Sequence, residues 1–265
     1  MTRQTTQPKI LIVDIETAPV LGYVWGLWQQ NLGLEQIVED WFILSFAAKW
    51  LGQNKIFYHD QSKSPDLEDD LSILEKLWKL LDEADIVVAH NGKKFDVKKI
   101  NTRFVLKGLG VPSPYKVVDT LIIAKQNFAF TSNKLAFLTE KLCQTQKLNH
   151  GQFPGFTLWK ELMKGNRKAW KECKEYNIVD VLSLEELYLK LRPWDKFHPN
   201  LGVYDPKPGH QCSKCQSHNL SPRGFTYTQV GKYQRYRCDD CGGWSRDRKT
   251  HSVAEKREFL LTTAI

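Results

Sequence analysis

Asp14 and Glu16 close the apolar run of "KILIVDIETAP", residues 9–19. In a strand, residues i and i+2 point to one face, so this spacing sets two carboxylates side by side where a buried run ends. Asp96, in "AHNGKKFDVKKI", follows another apolar run and lies near an expected helix start. A carboxylate there suits the positive end of a helix dipole, and equally a plain capping role. Asp180, in "CKEYNIVDVLSLEELYLKL", shares a helical face with Tyr176 one turn earlier and sits among Ile178, Val181 and Leu184. An isolated charge in such an apolar belt is costly. Two unit charges ~4 Å apart repel by ~1 kcal/mol even in water. Carboxylates gathered at one sheet edge therefore call for protonation or a divalent cation. Hard oxygen ligands select Mg²⁺ or Mn²⁺, and two such ions ~3.5–4 Å apart can activate a water and stabilise the leaving oxygen of a phosphodiester.

A second constellation lies near the C-terminus. Cys212 and Cys215 form "CSKC", and Cys238 and Cys241 form "CDDC". Two such knuckles supply four thiolates for one tetrahedral, structural Zn²⁺ with no open position. His210 and His218 stand near the first knuckle, but four cysteines leave them no ligand role. Cys143 and Cys173, in helical stretches, read as buried inert thiols. Around the second knuckle, "GKYQRYRCDDCGGWSRDRK" interleaves Tyr233, Tyr236 and Trp244 with Arg235, Arg237, Arg246 and lysines. Alternating aromatic and basic residues suit stacking plus phosphate neutralisation along a single strand.

Short apolar runs alternating with amphipathic stretches through the first two thirds of the chain indicate an α/β domain. Strands are expected over 10–14, 41–51, 55–60, 85–90 and 116–119. Helices are expected over 64–84, 95–108, 119–127, 133–144 and 166–191. The first of these helices has Ser64 as its cap, Pro65 in its opening turn and a stripe from Leu67 to Leu81. Strands preceding the first long helix imply an antiparallel meander that later gains parallel strands, a mixed β-sheet flanked by helices. Asp119 either extends the acid cluster or caps the helix after it, capping being the simpler role. The proline-rich "PWDKFHPNLGVYDPKPG" reads as a linker over 193–209. The division is thus 1–192 as the α/β domain, 193–209 as linker and 210–265 as a zinc-binding basic tail.

A formal charge of +8, concentrated in the tail, suits a polyanionic partner, and 42% hydrophobic residues are ample for a core. A polar N-terminus and no apolar stretch near ~20 residues suggest a soluble, cytoplasmic protein with no membrane partner.

"DIET" as D-x-E, "HNGKKFD" as N-x3-F-D and "YNIVD" as Y-x3-D, in that order, resemble the three motifs of the DEDD exonuclease superfamily, in its tyrosine-containing subtype. The superfamily includes the proofreading domains of DNA polymerases, and the resemblance spans about residues 8–192. It implies an RNase H-like fold and metal-dependent 3′–5′ hydrolysis of nucleic acid, single-stranded DNA being favoured and RNA possible. By the same resemblance, Asp14, Glu16 and Asp180 hold the tighter of two Mg²⁺ or Mn²⁺ ions, Asp14 bridges to the second, and Asp96 holds that one, partly through water. Tyr176 orients the attacking water, since a hydroxyl of pKa ~10 is a poor base, and Glu16 is the proton-side partner. Asn91 approaches the nucleic-acid strand, Phe95 packs beneath the site as core, and Tyr23, Trp25 and Trp28 are candidates to wedge against the terminal base. The tail resembles a zinc ribbon, with Arg235, Arg237 and Trp244 as nucleic-acid contacts or the ribbon as a dock for a replication or recombination protein. Two rivals keep the same fold: a non-catalytic nucleic-acid or partner-binding scaffold, and an endonuclease or strand-transfer enzyme.

Overall fold

The computed structural model describes residues 7–145, 151–205, 207–262 and 264. The polar stretch 1–6 lies outside them. The chain divides into two compact units, Lys9–Lys190 and the remainder from Leu191 on, which Gln7 and Pro8 join.

The first unit opens with β1 (Ile10–Thr17), followed by a small ladder of β2 (Leu21–Gly22) and β3 (Ile37–Glu39), then β4 (Ile43–Trp50) and β5 (Ile56–Asp60). It continues through α1 (Leu71–Glu83), β6 (Ile86–Ala89), α2 (Asp96–Leu106), β7 (Lys116–Asp119), α3 (Thr120–Asn127), α4 (Leu135–Leu142), α5 (Thr157–Met163) and α6 (Arg167–Leu191). The main sheet runs β5-β4-β1-β6-β7. β1, β4 and β5 form an antiparallel meander, and β6 and β7 add in parallel beyond β1, the mixed sheet expected from the sequence.

Alternation along β1 sets the layers. Leu11, Val13 and Ile15 pack with Phe46 and Ala48 against α1 and α2, in a core that includes Leu74, Leu77, Leu81, Ile100 and Phe104. The opposite face carries Ile12, Asp14 and Glu16, in register with Lys49, Ala47 and Ser45 of β4, and α6 meets that face. Lys49 is buried and pairs with Glu185 of α6, which also accepts the Gly52 N–H at 2.8 Å. The acids of β1 therefore point toward the element that carries Tyr176 and Asp180.

The expected helix over 64–84 starts seven residues late, at Leu71. Gln61 donates its side-chain amide to the Leu67 and Asp69 carbonyls, at 3.2 and 2.7 Å, which removes them as helical acceptors. Leu67 instead packs with Phe42, Leu44 and Trp170 in a second cluster. Asp70 ends that segment. Its fully buried carboxylate accepts the Ile43 N–H at 3.0 Å and two Arg103 donors at 2.8 and 2.7 Å. Asp70→Ala strands a buried guanidinium and is expected to cost about 3–5 kcal/mol, read by urea unfolding. A loss below about 1 kcal/mol would show the pair to be dispensable.

In the second unit, β8 (Leu220–Tyr227), β9 (Lys232–Cys238) and β10 (Trp244–Arg246) form an antiparallel sheet in the order β10-β9-β8, before the short α7 (Ala254–Glu258). The proline-rich stretch contains two 3₁₀ turns, Arg192–Trp194 and Leu201–Tyr204, and Asp195, His198 and Leu201 are buried within the unit. No helix among the described residues is long and apolar enough to cross a membrane.

Candidate active site and metal centres

Acids from two of the three predicted segments, Asp14 and Glu16 on β1 and Asp180 on α6, meet on one face of the sheet. Asp14, Glu16 and Asp180 each offer a carboxylate oxygen, and these oxygens lie within 4.8 Å of one another. Asp14 and Glu16 are half-buried and Asp180 is buried. Three hard, anionic ligands at this spacing fit a divalent cation such as Mg²⁺ or Mn²⁺. Tyr176, half-buried, lies one turn before Asp180 on α6.

Asp96 is not part of that triad. It is the first residue of α2 and is 3% exposed. Burial pushes its carboxyl up to about 7 and the charge of Asp119 adds to the rise, against hydrogen bonds from its own amide and that of Ile15. The Ile15 amide belongs to β1, so Asp96 reaches the strand that carries Asp14 and Glu16.

The loop before α2 is fixed by Asp119, which does more than the cap expected of it. Its carboxylate accepts Leu121 and Ile122 amides at the start of α3, and also the Asn91 and Lys93 amides at 2.9 and 3.1 Å. Asn91 takes φ +66°, a left-handed conformation that Asn tolerates better than most residues. Next to it, a Cβ on Gly92 would stand 2.4 Å from that of Ala89, so only glycine fits. His90 bridges Thr120 and the Asn133 carbonyl, at 2.9 and 3.0 Å, and is a strut of this corner.

Phe95 corrects the expectation of a core residue: it is 38% exposed at the N-cap of α2, with Lys99 5.8 Å from its ring centre. Lys99 stands over the Trp41 ring at 3.4 Å, and Phe95 lies at a helix start that is open to solvent. Tyr23, Trp25 and Trp28 are 77%, 97% and 84% exposed in the segment that follows β1.

Sequence reasoning missed Asn177. This fully buried residue donates to Asp14 Oδ2 at 2.7 Å and accepts from Ser45 Oγ at 3.2 Å. The available signal was an amide on the sheet-facing side of an apolar helix, between the two motif residues Tyr176 and Asp180.

The four cysteines converge as spaced. Cys212, Cys215, Cys238 and Cys241 offer sulfurs mutually within 4.8 Å, with the pairs Cys212–Cys241 and Cys215–Cys238 at 3.6 Å. All are free thiols, and amides of Lys214 and Gly243 point at Cys212 and Cys241 sulfurs at 3.4 Å. Gly242 takes φ +75°, the tight turn required after the second knuckle. Lys214, buried between the first knuckle's cysteines, donates to the Asp195 carbonyl and brings a positive charge to the cluster. His210 bonds Asp247 at 2.9 Å, away from ligand duty.

On the three-stranded sheet of the second unit, Trp244 and Arg246 face Arg237 and Arg235 across the β9–β10 ladder, and Tyr233 shares their side of β9. Arg235 lies 5.1 Å from the Trp244 ring centre and Arg246 lies 4.1 Å from that of Tyr233. The predicted contacts Arg235, Arg237 and Trp244 thus occupy one face.

No curated protein matches this chain. Among solved structures, the family B DNA polymerase from the hyperthermophilic archaeon Pyrobaculum calidifontis aligns with 70% of this chain and 25% of its own, at 13% identity and a TM-score of 0.47. This chain therefore spans about a quarter of that polymerase. A family model described as the RNase H superfamily matches residues 33–192, which include Asp96, Tyr176 and Asp180 and begin after Asp14 and Glu16. Matched over more than half its length, on a mixed sheet flanked by helices, the chain belongs to the RNase H superfamily.

Proposed function

We propose that the chain is a divalent-metal-dependent 3′–5′ exonuclease of the tyrosine-containing DEDD type, acting on single-stranded DNA in preference to RNA. The observation that carries this reading is the meeting of Asp14, Glu16 and Asp180 oxygens within 4.8 Å. Asp14, Glu16 and Asp180 would hold one cation and Asp96 would help hold a second. When bound, such ions supply charge neutralisation at a phosphodiester and activation of a water.

The chain's own groups do the rest. Tyr176, one turn before Asp180 on α6, would orient the attacking water by a hydrogen bond, its phenol being too weak a base to take the proton. Glu16, half-buried beside Asp14, would be the proton-side partner that the motif resemblance implies. The exposed rings of Tyr23 and Trp25 offer stacking surfaces for unpaired bases, worth ~1–3 kcal/mol per base. Asn91 presents its side chain from a left-handed corner of the α2 loop. In the second unit the four cysteines would hold one structural Zn²⁺, and the face with Arg235, Arg237 and Trp244 would track a single strand, in the manner of a zinc ribbon. Direction, sugar preference and exonucleolytic mode rest on the motif resemblance.

The reading is tested with 5′-labelled linear DNA, RNA and closed circles, in Mg²⁺, Mn²⁺ or chelator. A ladder shortening from the 3′ end, uncut circles and silence in chelator are expected. Cut circles would make it an endonuclease or strand-transfer enzyme, and intact linear DNA under all conditions would leave a binding scaffold. Tyr176→Phe is expected to slow turnover on the order of tenfold to a hundredfold with Mn²⁺ affinity unchanged. Loss of metal binding in that variant would assign Tyr176 a different role.

A further inference from the structure

We infer that Asn177 is a positioning residue that fixes Asp14, and with it the register of α6 against β1, for cation binding. The inference rests on the reading of the acidic triad as a metal site. Asn177 and Ser45 are both fully buried. The Asn177 amide nitrogen donates to Asp14 Oδ2 at 2.7 Å and approaches the Asp14 carbonyl at 3.4 Å, while its oxygen accepts from Ser45 Oγ at 3.2 Å.

The order of this relay determines its effect. A free amide can present either end to a carboxylate, and presenting oxygen would set acceptor against acceptor. The acceptor-only Asp14 carboxylate excludes that alternative, and the Ser45 hydroxyl, donating to the amide oxygen, supports the orientation that remains. A charge-assisted donor is then aimed permanently at Asp14. Ser45 lies directly across from Glu16 in the β1–β4 ladder, so β4 supplies the fixed end of the relay. Asn177 also adjoins Tyr176 and precedes Asp180 by three residues on α6. Holding Asn177 to β1 therefore brings Asp180 to Asp14 and Glu16. A neutral donor suits this position because it steadies the carboxylate without competing for its charge, as outer partners of metal ligands commonly do.

The test is calorimetric titration with Mn²⁺ of the full chain carrying Asn177→Leu, Ser45→Ala or both, beside wild type and Asp14→Asn, with thermal unfolding of each. Asn177→Leu is expected to weaken Mn²⁺ binding about tenfold to a hundredfold. Ser45→Ala, a small change that leaves the fold standing, should weaken it about threefold to tenfold. The double variant should bind no more weakly than Asn177→Leu, because Ser45 acts through the amide. Mn²⁺ affinity within twofold of wild type in Asn177→Leu, or in Ser45→Ala should the leucine variant not fold, would overturn the inference. So would additive losses in the double variant, which would mean two independent packing defects. Wild type that binds Mn²⁺ no better than Asp14→Asn would overturn the metal-site reading itself, and the role of Asn177 with it.

Discussion

Asp14→Asn is expected to abolish cleavage, by at least about a thousandfold, while the metal-free protein melts at the same temperature as wild type or higher. The two outcomes have one cause. Asp14, Glu16 and Asp180 crowd their oxygens within 4.8 Å, and without a cation that crowding is repulsive, so removing one charge relieves the fold as it removes a ligand. An asparagine still accepts the Asn177 donor through its oxygen, so the packing of α6 on β1 survives. Asp96 adds a pH signature. Its folded-state value is raised by burial to about 7, so the folded chain holds that proton longer than the unfolded one. Its contribution to metal-free stability is full in acid and lost as pH rises from the ordinary carboxylate range through about 7. Mn²⁺ should consequently raise the melting temperature of wild type more at pH 8 than at pH 5.5, and should hardly move that of Asp14→Asn. An active Asp14→Asn enzyme, or equal Mn²⁺ stabilisation of both proteins, would remove the acids from the chemistry.

Much of this arrangement is legible in the sequence because it follows from local rules. Period-two alternation in "ILIVDIET" separates Leu11, Val13 and Ile15 from Asp14 and Glu16, and the structure places the two sets on opposite faces. The order of strands and helices yields the mixed sheet, and the sheet then brings Asp14, Glu16 and Asp180 together across more than 160 residues. What was not legible depends on partners distant in sequence. The late start of α1 follows from Gln61 taking the Leu67 and Asp69 carbonyls and from Asp70 turning to Arg103. Neither is visible in a window whose apolar stripe begins at Leu67. α5, only Thr157–Met163, and the two-residue β2 are too short for periodicity to register. Asn177 escaped notice because its role is defined by what lies across from it, Ser45 and Asp14, rather than by its neighbours in the chain. The motif resemblance puts Phe95 beneath the site as core, but the N-cap position where it stands opens toward solvent.

Cys212→Ser, or zinc removal by a strong chelator, is expected to unfold the second unit while the unit Lys9–Lys190 retains its own melting transition. Thiolates around Zn²⁺ at ~2.3 Å sit at the corners of a tetrahedron with edges of about 3.8 Å. The 3.6 Å separations of Cys212–Cys241 and Cys215–Cys238 are close to that edge, and far from the ~2.05 Å of a disulfide. Little else holds the sheet. β8 has no buried residue, and in β9 the one buried side chain is Cys238, itself a ligand. A structural zinc contributes on the order of 10 kcal/mol to such a unit, more than three short strands can replace. The wild-type chain should carry one zinc, measured by elemental analysis, and Cys212→Ser should carry none. With the sheet gone, Arg235, Arg237 and Arg246 no longer share a face, and the three phosphate contacts proposed for them are expected to be lost. Affinity for single-stranded DNA should fall, and the slope of log affinity against log salt should become shallower by about 2, at ~0.7 per contact. Zinc loss that left both affinity and slope unchanged would assign the ribbon face to a protein partner, with nucleic acid held by the first unit alone.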